Sequence, residues 1–180
     1  MPLTISKTDY LLYRDCPKNA WFKIHKPELY CASGLSDFDK AIIETGNEVE
    51  LVARKLFPSG KLIEGRGMEA QQLTQNFLST QEPVLFQPAF SRDGFFAAVD
   101  ILEGNPAIHG YSIYEVKATS GVDEKVHLYD LAFQVVLLRK FGLRIGQIGI
   151  IHLNPEYVRS GALNIQELFN TEDVTEEVEE

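Results

Sequence analysis

The sequence predicts an α/β domain, a mixed central sheet flanked by helices. Three observations carry this. Over about 37–57, Ile42, Val49, Val52 and Leu56 recur at helical spacing. Two runs rich in aromatic and β-branched residues, FFAAVDILE and YSIYEVKA, flank GNPAIHG, which is a strand–turn–strand signal. A helix over about 125–141 then leads into the strongly apolar strand RIGQIGIIHL, 144–153. With one more strand at 83–90, the order is helix, three strands, helix, strand. Helices that connect such strands pack on the faces of a mixed sheet.

Each element has a local reason. Ser6-Lys7-Thr8-Asp9 starts a helix, with an N-cap serine and an acid in the first turn. Tyr10, Tyr13 and nearby leucines should pack inward. Around Pro17, Trp21 and Phe22 lie Arg14, Lys18, Lys23 and Lys26, the most basic region of the chain. It reads either as the wall of a nucleic-acid channel or as an aromatic mini-core with a solvated rim. Residues 27–36 read as a loop. Ser36 caps the helix that Pro58 stops, and this helix carries Glu44, Glu48 and Glu50. Lys61–Glu64 is a short strand, and 68–79 a helix with Leu73, Phe77 and Leu78 on one side. The 83–90 strand contains Pro88, which points to an edge or a bulge. Gly142 is a good C′ residue for the 125–141 helix. His152 should be a satisfied histidine at a strand end. ALNIQELF should be extended, and the acidic end disordered or a linker.

The chemistry concentrates in the hairpin. Positions two apart in a strand share a face, so Glu115 and Lys117 point the same way. Folding at the Pro/Gly-rich middle sets Asp100 across from roughly residue 114, within about one residue of Glu115. Two carboxylates and one ammonium then meet inside otherwise apolar strands. Like charges so placed repel, and burial makes the repulsion worse. A divalent cation removes the problem: Mg²⁺ takes one or two carboxylates and shares its other positions with water and phosphate. A bare E-x-K, by contrast, is common and fits a solvated surface pair.

Asp100 closing VDIL, then YEVKA, then Gln134 in HLYDLAFQVVLLRKFGL, resembles the PD-(D/E)XK nuclease superfamily in its RecB-like branch. CRISPR-associated RecB-like exonucleases and the N-terminal nuclease modules of larger bacterial proteins are similar. The resemblance runs from SKTDYLLYRDCPKNAWF to FNTEDVT, nearly the whole chain. It implies a restriction-endonuclease-like α-β-β-β-α-β core in a metal-dependent nuclease that hydrolyses DNA and is exonuclease-like. Asp100, Glu115, the Val116 carbonyl and Glu50 would hold Mg²⁺ or Mn²⁺, Lys117 would assist the attacking water, and Gln134 would orient the substrate or a second layer of the site. Glu50 stands where the family commonly has a histidine, and Glu48 is the fallback. Leu138 stands where the family has a tyrosine, four residues after the glutamine. His127 is a candidate general acid or base, or a histidine near the loop without catalytic duty. Cys16 sits where relatives with an iron–sulfur cluster have their early cysteine. No cysteine follows Cys31, so no such cluster is expected, and both thiols should be free.

At 180 residues the chain suits one domain with a real core. The expected division is a helical N-terminal appendage at 1–35, the nuclease core at 36–170 and a tail at 171–180. No run is apolar enough to span a membrane and no signal peptide is evident, so a cytoplasmic protein is expected. The net charge of −9 speaks against nucleic acid. Its distribution weakens that objection: the last ten residues hold six acids and no base, and the remainder balances 17 basic against 20 acidic residues. A further domain of the same chain, or a homo-oligomer, could supply the missing basic surface. The competing expectation is a catalytically weak or inactive nucleic-acid-binding or scaffold module.

Overall fold

A computed structural model describes residues 4–30 and 36–180. Cys31 and residues 32–35 of the expected 27–36 loop lie outside them. The chain opens with β1 (Ile5–Ser6), α1 (Lys7–Asp15) and α2 (Pro17–His25). Ser6 caps α1 reciprocally, since its hydroxyl accepts from the Asp9 N–H while the Asp9 carboxylate accepts from the Ser6 N–H. The same box, Ser36 with Asp39, starts α3 (Asp37–Ala53), which ends in a 3₁₀ turn before Pro58. Then come β2 (Lys61–Leu62), α4 (Gly67–Ser79), β3 (Val84–Phe86), β4 (Ala89–Arg92), β5 (Phe95–Ala98), β6 (Ile101–Asn105) and β7 (Gly110–Lys117). A π-helical turn at Glu124–Leu128 precedes α5 (Tyr129–Phe141), which stops at Gly142, φ 99°. The chain closes with β8 (Ile145–Leu153), α6 (Ile165–Leu168), β9 (Phe169–Asp173) and α7 (Thr175–Glu179).

The main sheet has six strands in the order β2-β3-β6-β7-β8-β9. It is mixed about β7, which pairs antiparallel with β6 and parallel with β8. Alternation along β7 divides the core. Ile113 packs on one face with Leu131, Val135 and Leu138 of α5. Tyr114 packs on the other with Ala53 of α3, Phe86, Ile101 and Ile151. The expected α/β class with helices on a mixed sheet is therefore observed.

Several expectations need correction. The runs 83–90 and FFAAVDILE are not single strands. Each breaks, at Gln87-Pro88 and at Val99-Asp100, and passes into a second sheet of order β1-β5-β4. Gln87 sits at φ 54°, in the left-handed region, just before Pro88. The described part of the expected appendage, 4–30, does not stand apart from the core: β1 pairs with β5, and Tyr10 of α1 stacks on Phe133 of α5 at 5.3 Å. Tyr13 does not pack inward but is exposed. Finally, 171–180 packs on the core rather than standing off it. Residues 169–173 pair with β8, Val174 is buried, and Arg139 grips Glu179. ALNIQELF, expected as extended, contains the α6 turn.

Candidate active site

The hairpin register is Ile101↔Tyr114, which carries Asp100 to the position opposite Glu115, one residue past the ladder. Asp100 does not continue β6. The break at Val99-Asp100 turns its carboxylate inward, where it accepts from the Val116 N–H at 2.8 Å. Its other oxygen accepts from the Gln87 side-chain amide at 3.1 Å, and the same amide nitrogen donates to Glu50 at 2.7 Å. Glu50 is also held by Arg54, one helical turn on, at 2.6 Å. Glu50 is thus joined to the site through Gln87, whereas Glu48 is exposed on α3.

Glu115 shares the α5 face of β7 with Ile113. It is 3 % exposed, and Gln134, on α5, is fully buried beside it. The Gln134 amide nitrogen donates to Glu115 at 2.8 Å and to Asp130 at 2.9 Å, which the i, i+4 spacing on one helix face permits. Lys117 donates to Glu115 at 2.8 Å and to Asp130 at 3.0 Å. The Lys7 ammonium, from the first turn of α1, bonds both Glu115 oxygens, at 3.0 and 3.3 Å, and lies 3.5 Å from Asp130. The Gln134 carbonyl oxygen is buried with no partner. Reversing the amide would aim that oxygen at two carboxylates, so the orientation is fixed by the network.

The two carboxyl groups respond oppositely. Burial alone would push Glu115 up, but Lys7 and Lys117 outweigh it and hold Glu115 well below the usual carboxylate range. Burial, then the charges of Glu115 and Glu50, push Asp100 up to about 7, against the pull of Lys7 and the Val116 N–H. Burial would lower both lysines, yet the surrounding carboxylates raise Lys7 and Lys117 above the ordinary lysine value. His127 is buried in the π-helical turn, its Nδ1 accepting from the Asp123 N–H at 3.0 Å. Burial and then the Lys117 charge lower its pKa, which favours the neutral imidazole. His152 is buried and satisfied between Glu172, at 2.7 Å, and the Leu153 carbonyl, at 3.1 Å.

Of the residues expected from sequence, Asp100, Glu115, Val116, Lys117 and Gln134 meet directly, and Glu50 meets them through one bridge. Sequence reasoning missed Lys7, Asp130 and Gln87 as parts of the site. Asp130 was signalled by its spacing from Gln134, and Gln87 by a proline inside an apolar run. Nothing local signalled Lys7.

Among the described residues, no group of three or more His, Cys, Asp or Glu side chains is gathered closely enough to hold a metal ion. The donor set nevertheless suits a hard divalent cation that needs few protein ligands. Asp100 and Glu115 would supply carboxylate oxygen, and Mg²⁺ commonly takes only one or two carboxylates. Asp100 is a buried carboxyl whose two hydrogen-bond donors, the Val116 N–H and the Gln87 amide, are both neutral, so a cation placed there would meet an unfilled demand. No described helix is long and apolar enough to cross a membrane. No protein-family model and no curated protein matches the chain.

Proposed function

We propose that the chain is a metal-dependent nuclease of the PD-(D/E)XK superfamily, RecB-like branch, hydrolysing phosphodiester bonds of DNA in an exonuclease-like manner. The observation that carries this reading is the convergence of Asp100, Glu115 and Lys117 at the end of one hairpin, bonded through a single backbone amide and one ammonium. The run α3, β3, β6, β7, α5, β8 supports a restriction-endonuclease-like core, with the extra strands as elaborations.

Asp100, Glu115, the Val116 carbonyl and, on the α3 side, Glu50 would hold one or two Mg²⁺ or Mn²⁺ ions. Bound there, the metal would supply Lewis acidity for the phosphoryl group and make water a better nucleophile. Lys117 stays charged because Glu115 and Asp130 both face it. Its ammonium orients the attacking water and offsets negative charge that grows on the phosphoryl oxygens. Asp130 and Gln134 fix the geometry of Lys117 and Glu115. Gln87 fixes Glu50 and Asp100 in the same way. The apolar strands around the hairpin keep bulk water from screening these charges.

One feature favours the second reading, a binding or scaffold module: Glu115 already has two ammonium partners. Cleavage of labelled single- and double-stranded DNA with Mg²⁺ or Mn²⁺ separates the two. The nuclease reading expects cleavage by the wild type and its loss in Lys117→Ala. Cleavage unaffected by that substitution, or no cleavage by the wild type, sinks it.

A further inference from the structure

We infer that Lys7 is an internal counter-cation that competes with the divalent metal for Glu115, so that metal binding displaces the Lys7 side chain from the site. The inference rests on the metal-dependent reading above, and it concerns a residue that reading does not use. The Lys7 ammonium lies 3.0 and 3.3 Å from the two Glu115 oxygens, which carry the lone pairs a metal at Glu115 must take. Lys117 reaches only one of those oxygens and is held elsewhere by Asp130 at 3.0 Å, so it can stay. Lys7 has the weaker second tie, 3.5 Å to Asp130.

Access permits the exchange. The Glu115 and Asp130 side chains are 4 % and 3 % exposed, but that of Lys7 is 25 % exposed, close to the 21 % of Lys117, so the choice between the two lysines rests on their ties to Asp130. Lys7 is the first residue of α1, directly after the Ser6 cap. It can swing away by changing its own rotamers while the cap and the Tyr10–Phe133 stack stay in place. Two like charges on one carboxylate repel, and a divalent ion repels an ammonium more strongly than Lys117 already does. Metal and Lys7 are therefore alternatives at Glu115. Linkage makes the exclusion reciprocal: whatever removes Lys7 from Glu115 tightens metal binding by the same factor.

Titration calorimetry of Mn²⁺ into the metal-stripped 180-residue chain at pH 8 tests this, with wild type, Lys7→Met and Lys7→Arg. Lys7→Met keeps the aliphatic stem and removes the charge. It should bind Mn²⁺ at least tenfold more tightly than wild type. Lys7→Arg offers a two-pronged grip on the carboxylate and should bind several-fold more weakly. In melting curves, metal-free Lys7→Met should unfold below wild type, and saturating Mn²⁺ should close the gap. If Lys7→Met does not fold, the weaker binding of Lys7→Arg carries the test. Equal Mn²⁺ affinity across the folded variants, or weaker binding by Lys7→Met, overturns the inference and leaves the metal-dependent reading standing. Absence of Mn²⁺ binding by wild type and variants alike overturns both.

Discussion

Glu115 and Asp100 face each other across the end of one hairpin and are both almost fully buried, yet they live in opposite electrostatic worlds. Glu115 has two ammonium groups and an amide within hydrogen-bond range. Asp100 has only a backbone N–H and a shared amide. Burial penalises both charges, and the cations decide the outcome: Glu115 is driven below the normal range while Asp100 rises to about 7. At similar depth, then, what faces a carboxylate decides which way its pKa moves. The α5 face of the site is complete without metal. The Asp100 face is short of positive charge, and it is there that a bound cation has most to offset.

The largest effect should come from breaking the complete face. Glu115→Ala leaves Lys7 and Lys117 beside a cavity with Asp130 as their one remaining carboxylate, and removing one partner of a buried ion pair typically costs about 3–5 kcal/mol. Urea unfolding of the metal-free protein at pH 7 should show a loss of that size. A loss below about 1 kcal/mol would mean that the lysines find water easily, and the contrast between the two faces would fall.

Asp100→Asn should do the reverse. Asp100's folded pKa is raised from 3.8 to about 7, so its contribution to stability is full below 3.8 and is lost as pH rises through about 7. Asparagine stays neutral throughout. Metal-free Asp100→Asn should therefore be more stable than wild type at pH 8, by at most about 1.4 kcal/mol for every tenfold by which folding tightens the carboxyl's hold on its proton. The advantage should vanish by pH 4. Glu115 has the opposite sign. Its folded pKa is depressed, so its contribution is present above 4.5 and is lost as pH falls below that. Thermal melting of both variants across pH 4–8 measures this. A pH-independent gap for Asp100→Asn would show that Asp100 is ordinarily ionised.

How much of this was legible in the sequence follows from the range of each interaction. The hairpin register could be read because Pro106 and Gly110 mark the fold-back and the strand period does the rest; Asp100 indeed reaches Val116. Gln134 and Asp130 could be paired by helical spacing. Lys7 could not be found, because its partner Glu115 is 108 residues away and the contact depends on α1 docking against α5. The breaks at Gln87 and Val99 were hidden since apolar strands in two adjacent sheets read as one apolar run. The acidic end misled through averaging: six acids outweighed Val174 and Val178, the two residues that pack against the core.

The smallest effect concerns the two glutamines, one on each face, each bridging two carboxylates with one amide nitrogen. Gln134→Leu removes two donors to charged acceptors, which taken alone costs about 1.5–3 kcal/mol each. It also removes the Gln134 carbonyl oxygen, which is buried without a partner and carries a desolvation cost of about 1–3 kcal/mol in the wild type. Lys7 and Lys117 remain on Glu115 to absorb the change. The net loss should then be about 1–2 kcal/mol, clearly less than for Glu115→Ala, and it should be insensitive to pH between about 6 and 8. A loss as large as that of Glu115→Ala would mean that the orphan oxygen is satisfied by a buried water, making Gln134 a member of a longer polar chain and the α5 face more elaborate than its two lysines suggest.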